Sequence, residues 1–139
     1  MKNQDSFKIF IVEDDLWYST MLEYTLNLNP DYQVKKFSSA KDFLAALHEK
    51  PNVVSLDYSL PDANGDELLS KIKEISPDTN VVIISGQEDV KVALNLLKKG
   101  AYDYIVKDDD TKDRLWNAIQ HLRENAELKN ELEVLKEEV

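Results

Sequence analysis

The chain has no cysteine among its 139 residues, which excludes disulfide bridges and thiolate metal sites. Histidine is scarce as well: His48 and His121 are the only two, and neither has metal-ligand spacing to another donor. No apolar run approaches the roughly 18 residues of a membrane span. The N-terminal MKNQDSFK lacks the apolar centre of a signal peptide, so a cytoplasmic setting without membrane insertion is expected. Positive charge is in deficit, with 17 Lys and Arg against 27 Asp and Glu and a formal net charge of −10. That balance argues against nucleic-acid binding by this segment itself. It suits a cation site, a basic partner, or solubility alone. Proline and glycine are few, at four and three. Pro30, Pro51 and Pro77 fall between patterned segments, and Gly100 reads as a helix stop. No P-loop motif occurs.

What is present is enough apolar residue, 42%, to build one domain with a real core. The most informative stretch is IFIVEDDL, residues 9–16. A buried-type apolar strand ends abruptly in Glu13, Asp14 and Asp15, and a helical pattern follows at once. Carboxylates packed together repel one another, and desolvating them is costly. Three further apolar runs end in a chemical group: NVVSLD in Asp57, NVVIIS in Ser85 and YDYIVK in Lys107.

Apolar β-branched runs predict strands at about 7–12, 32–37, 52–56, 80–84 and 102–106. Helical patterns predict helices at about 15–28, 39–48, 65–75, 88–98 and 111–138. Core-facing stripes are expected at Trp17, Met21, Tyr24 and Leu28, at Leu68, Ile72 and Ile75, and at Val90, Ala93 and Leu97. Strict alternation of strand and helix implies a parallel sheet with helices on both faces. Five such units suggest an α/β fold, the flavodoxin-like doubly wound five-stranded sheet of order 2-1-3-4-5 with an extended C-terminal helix. In that order the ends of strands 1 and 3 bring Glu13 and Asp14 beside Asp57, while strands 4 and 5 bring Ser85 and Lys107 from the other side.

The elements VEDD, LDYSLPDANGDELL, VIISG and GAYDYIVK, in this order and spacing, resemble the receiver domain of bacterial two-component response regulators over about residues 6–125. The resemblance implies that Asp57 accepts a phosphoryl group from a sensor histidine kinase. It implies that Glu13 and Asp14, with Asp57 and the backbone carbonyl of Ser59, hold Mg²⁺. Ser85 matches the switch hydroxyl, Lys107 the lysine that pairs with the phosphoryl group, and Tyr104 the aromatic switch residue. Pro61 and Gly65 match the loop after the acceptor. Asp15, one place beyond the acidic pair, reads as a first-turn helix acid. One departure stands out. The family commonly has a proline after this lysine, joined by a cis bond, and here Asp108 follows Lys107. A cis bond before a non-proline residue costs about 2.5–4 kcal/mol, so a trans bond is expected.

The chemistry this implies is coherent. Mg²⁺ takes oxygen ligands and needs only one or two carboxylates besides phosphate oxygens. Asp57 would be a carboxylate nucleophile and Lys107 a fixed cation. Each residue also has a plainer explanation: helix capping for the acid run, a solvated loop acid for Asp57, a turn at Ser85 and Gly86, a surface lysine for Lys107. Haloacid-dehalogenase-type phosphatases also use a strand-end aspartate, but they need a second aspartate where this chain has Ser59. A flavin module would need a Ser/Thr/Gly phosphate loop where this chain places acids. The expectation is a signalling switch, not an enzyme, catalysing at most its own phosphorylation and dephosphorylation.

Two surfaces complete the sequence picture. Val92 and Leu96 form a second apolar stripe on the fourth helix, read as exposed and available to a partner or second copy. Residues 111–139 contain neither Gly nor Pro, and Asp110 can cap the start. The division expected is a receiver over 1–125 and a helical linker over 126–139. Leu128, Leu132, Leu135 and Val139 follow the four-three spacing of a coiled-coil seam, so a homodimer is expected. The linker resembles the one that joins receivers to the ATPase domain of sigma-54-dependent, NtrC-type activators. The chain is therefore expected to be part of a longer transcription regulator; a free-standing receiver is the alternative.

Overall fold

The computed structural model describes residues 6–138. Five strands form one parallel sheet: β1 (Phe7–Val12), β2 (Tyr32–Phe37), β3 (Val53–Asp57), β4 (Asn80–Ser85) and β5 (Asp103–Val106), in the spatial order β2-β1-β3-β4-β5. β3 is buried at all five positions, and β1 and β4 at all but one each. That is why these runs are almost continuously apolar: a parallel strand covered on both faces has no wet side. The edge strand β2 alternates instead.

The helices are α1 (Leu16–Leu26), α2 (Ala40–Ala46, followed by a 3-10 turn at Leu47–Glu49), α3 (Gly65–Ile75), α4 (Val90–Lys98) and α5 (Thr111–Glu138). They split into two layers. On one face Phe10, Val12, Val54, Leu56, Val81 and Ile83 pack against residues of α2, α3 and α4 such as Phe43, Leu69, Ile72 and Leu96. On the other, Ile9, Ile11, Val53, Val82, Ile84 and Ile105 pack against Leu22 and Leu26 of α1 and Leu115, Ile119 and Leu122 of α5. The alternation of side chains along each strand assigns neighbouring residues to opposite layers.

Side-chain caps start four helices. Asp15 accepts from Tyr18 N–H, Ser39 from Asp42, Asn64 from Glu67, and Asp89 from Lys91 and Val92. At α5 the group that closes the loop is Thr111, not Asp110. The Thr111 hydroxyl accepts from Asp108 N–H at 2.7 Å and donates to the Val106 carbonyl at 2.9 Å. Asp110 meets the first turn with its carbonyl, which accepts from Arg114 N–H. The Lys107–Asp108 bond is trans, as are all peptide bonds among the described residues. A short hairpin, Ser59–Leu60 with Ala63–Asn64, was not expected and tightens the loop after Asp57.

Two helices face the core with a side other than the expected one. In α4, Leu96 is buried at 1% exposure and Val92 is half-buried against the first layer, so Leu96 offers no partner surface. Val90 and Leu97, expected inside, point outward with Leu94. Both stripes have helical spacing, and apolar residues occupy both sides. The choice is made where α4 leaves: Gly100, at φ +111°, turns the chain, and Ala101 N–H bonds back to the Leu96 carbonyl, drawing that side of the helix onto β5. In α1 the buried residues are Ser19, Leu22 and Leu26, while Trp17 and Tyr24 are exposed, as is Leu28 just past the helix end. Ser19 is buried on this side, its hydroxyl donating to the Leu16 carbonyl at 3.2 Å. Ile75, at the end of α3, is also exposed.

Candidate functional site

Four strand ends meet at the carboxyl edge of the sheet. Glu13 follows β1 and its N–H donates to the Phe37 carbonyl at 3.0 Å. Asp57 is the last residue of β3, the central strand, paired with Ile84. Ser85 closes β4, and Lys107 follows β5 with its N–H donating to the Ser85 carbonyl at 2.7 Å. Parallel pairing brings all four ends to one edge, where helix caps and loops leave polar groups unmatched by the sheet.

Carboxylate oxygens of Glu13, Asp14 and Asp57 all lie within 4.8 Å of one another. Glu13 and Asp57 are buried, at 4% and 6% exposure, and Asp14 is exposed. Lys107 Nζ lies 2.9 Å from Glu13 Oε1 and 3.5 Å from Asp57 Oδ1. The lysine expected beside the acceptor is thus shared, and its shorter contact is to Glu13. Burial, with the nearby Asp57 charge, pushes the Glu13 carboxyl up to about 7, against the pull of Lys107 and of Asp15 N–H. Burial likewise raises Asp57, opposed chiefly by Lys107. Burial alone would lower the Lys107 ammonium, yet Glu13 and Asp57 together hold it above its ordinary value. The donor set consists of convergent carboxylate oxygens short of compensating positive charge, which fits a hard divalent cation.

Ser59 sits two residues past Asp57, its N–H only 3.4 Å from Asp57 Oδ1. The buried Ser85 hydroxyl accepts from Gln87 N–H at 3.1 Å. Tyr104 is half-buried on β5, and its hydroxyl donates to the Gln87 carbonyl at 2.7 Å. Leu128, Leu132 and Leu135 lie beyond the sheet on α5, each exposed by 57–58%; Val139 falls outside the described residues.

A sequence profile of the response regulator receiver domain family matches residues 9–120. The chain belongs to that family. Among its relatives, the receiver is 33% identical over 132 residues to the DNA-binding transcriptional regulator NtrC of Proteus hauseri, covering 92% of this chain and 28% of that protein. It is 31% identical over 104 residues to the chemotaxis protein CheY of Listeria monocytogenes, covering 72% of this chain and 85% of that one. The crystal structure of NtrX from Brucella abortus superposes with a TM-score of 0.81 at 29% identity, over 96% of this chain and 31% of the other. The receiver therefore spans under a third of the NtrC-type regulators it matches.

Sequence reasoning missed two features of the site. Tyr18, one turn into α1, places its ring beneath Lys107, with Nζ 4.7 Å from the centroid. Asp62, in the loop after Asp57, accepts from Ala40 and Lys41 N–H at the start of α2. The signal for Tyr18 was its place four residues after Asp14, where one helical turn returns a side chain to the strand end. Asp62 gave none, since its partners are 21 and 22 residues away.

Proposed function

We propose that this receiver accepts a phosphoryl group on Asp57 from the phosphohistidine of a sensor kinase and passes the change to an output surface. The observation that supports it is the convergence of Glu13, Asp14 and Asp57 with Lys107 shared between the two buried acids. An Asp57 carboxylate oxygen attacks phosphorus; the new P–O bond forms as the P–N bond breaks, and the electron pair leaves on the imidazole nitrogen. Glu13, Asp14, Asp57 and the Ser59 carbonyl would hold Mg²⁺. Bound there, the ion supplies neutralisation of charge on the phosphoryl oxygens. Lys107, lying between Glu13 and Asp57, contributes a second positive charge to the phosphoryl oxygens. Ser85 then turns toward the phosphoryl oxygens, and Tyr104 leaves Gln87 and moves inward, remodelling α4, β5 and α5.

The likeness to NtrC supports a transcriptional output through further domains, with residues 1–125 as the receiver and 126–139 as the linker that pairs two copies. The CheY relative, of which this receiver matches most of the length, supports the alternative of a receiver acting alone by protein contact. Incubation with acetyl phosphate and Mg²⁺, followed by mass spectrometry, should place the modification on Asp57. Undiminished labelling of Asp57→Asn would overturn the assignment.

A further inference from the structure

The phosphoacceptor reading leaves one contact of Lys107 unused: the aromatic face beneath it. We infer that Tyr18 is a positioning residue for phosphoryl transfer, its ring carrying the Lys107 ammonium between Glu13 and Asp57 so that the charge can reach the incoming phosphoryl group. This rests on Asp57 being the acceptor.

Three elements hold the ammonium. The end of β1 supplies Glu13 Oε1 at 2.9 Å, the end of β3 supplies Asp57 Oδ1 at 3.5 Å, and α1 supplies the Tyr18 ring at 4.7 Å. The two carboxylates are directional and compete for the same protons. The ring is different. Its negative face attracts a cation over a broad area, so the ammonium can shift toward new oxygens without losing that partner. The lysine side chain is only 26% exposed, so water screens the attraction weakly.

The ring is itself well placed. Tyr18 packs against the second core layer, and its backbone N–H donates to Asp15 Oδ1 at 3.1 Å. Asp15, the acid next to the acidic pair, thereby fixes the turn that sets the ring under the lysine. The Tyr18 hydroxyl plays no part in this. It is buried and turned toward Thr111, close to that side chain but making no hydrogen bond of good geometry. Removing the hydroxyl forfeits at most that weak approach to Thr111 and leaves the ring under the lysine, which separates the ring from the hydroxyl as the working group.

The test uses the full chain with two substitutions. The Lys107 ε-methylene proton signals of the parent should be shifted upfield by the ring, and labelling of Asp57 by acetyl phosphate at saturating Mg²⁺ gives the rate. Tyr18→Leu should lose the shift and slow labelling about three- to tenfold, the range of a partly desolvated cation–ring contact. Tyr18→Phe should keep the shift, label within about twofold of the parent and melt no lower. A parent without the upfield shift, a Tyr18→Leu rate equal to the parent's, or a Tyr18→Phe rate as low as that of Tyr18→Leu would each overturn the inference. No label on the parent's Asp57 would instead refute the acceptor reading, and the lysine shift alone would then decide whether the ring holds the ammonium.

Discussion

The Tyr104 hydroxyl donates to the Gln87 carbonyl at 2.7 Å. Gln87 is held from its other side as well, since its N–H donates to the Ser85 hydroxyl. The aromatic and hydroxyl residues assigned to switching are therefore tied through one backbone unit. Ser85→Ala should still be labelled on Asp57, with a weakened amide-exchange response in α4 and β5. Tyr104→Phe should speed exchange across 86–89 before any phosphodonor is added, by removing a bond worth about 1 kcal/mol. A full response in Ser85→Ala would sink the switching role.

Mg²⁺ affinity should fall at least about tenfold in Asp14→Asn, because one charge leaves a hard-cation site. Calorimetric titration measures it directly. Fluorescence of exposed Trp17, on the first turn of α1, offers a second readout. Equal affinity in the variant and the parent would refute the pocket.

Gly65 has no room for a side chain. A Cβ there would stand 2.8 Å from Tyr58 Cδ1 and 3.0 Å from its Cα. The cause is the 2.7 Å bond from Gly65 N–H to the Tyr58 carbonyl, which draws the start of α3 against the loop after Asp57. Gly65→Ala should cost about 1–3 kcal/mol in chemical denaturation. An unchanged midpoint would show that Tyr58 yields freely.

Acid stability should report on Asp62. Hydrogen bonds from Ala40 and Lys41 N–H hold its carboxyl below the ordinary 3.8. A depressed pKa means the folded state favours the ionised form. The contribution is therefore present above the unfolded pKa and lost as pH falls through the folded one. The stability gap between the parent and Asp62→Ala should stay constant above about pH 5 and close at lower pH. A gap independent of pH down to acid unfolding would argue against the cap.

Sedimentation should separate the linker from the receiver. The full chain should dimerise as concentration rises through Leu128, Leu132 and Leu135, and a chain ending at Asn125 should remain a monomer. If both stay monomeric at every concentration, phosphorylated or not, the linker pairing fails.

Strands β1, β3, β4 and β5 were legible because they are apolar runs that each lead into a distinct polar residue, and the edge strand β2 because its residues alternate. Asp57, Glu13 and Lys107 were legible for the same reason. The facing of α1 and α4 was not. Trp17, Tyr24 and Val90 are large and apolar, and helical periodicity cannot say which of two apolar sides meets the sheet when both have the right spacing. For α4 the Gly100 turn decided it, with Ala101 N–H bonded back to the Leu96 carbonyl; in α1 the buried side carries the small Ser19 with Leu22 and Leu26. Nor could Glu13 be seen as the nearer partner of Lys107, since that depends on how two strand ends and a loop share a few ångströms.

Along α5, burial ends near Ala126, yet the helix runs unbroken from Thr111 to Glu138. Its first half is clamped to the sheet by Leu115, Ile119 and Leu122. The rest behaves as a lever arm. From Leu122 to Leu135 is roughly 20 Å at the rise of an α-helix, so a tilt of about 10° at the clamped end moves the far leucines by roughly 3 Å. A helix without Gly or Pro has no joint at which to absorb that swing. A small repacking beside Lys107, at the head of the same helix, thus becomes a displacement about the size of a side chain at its tip.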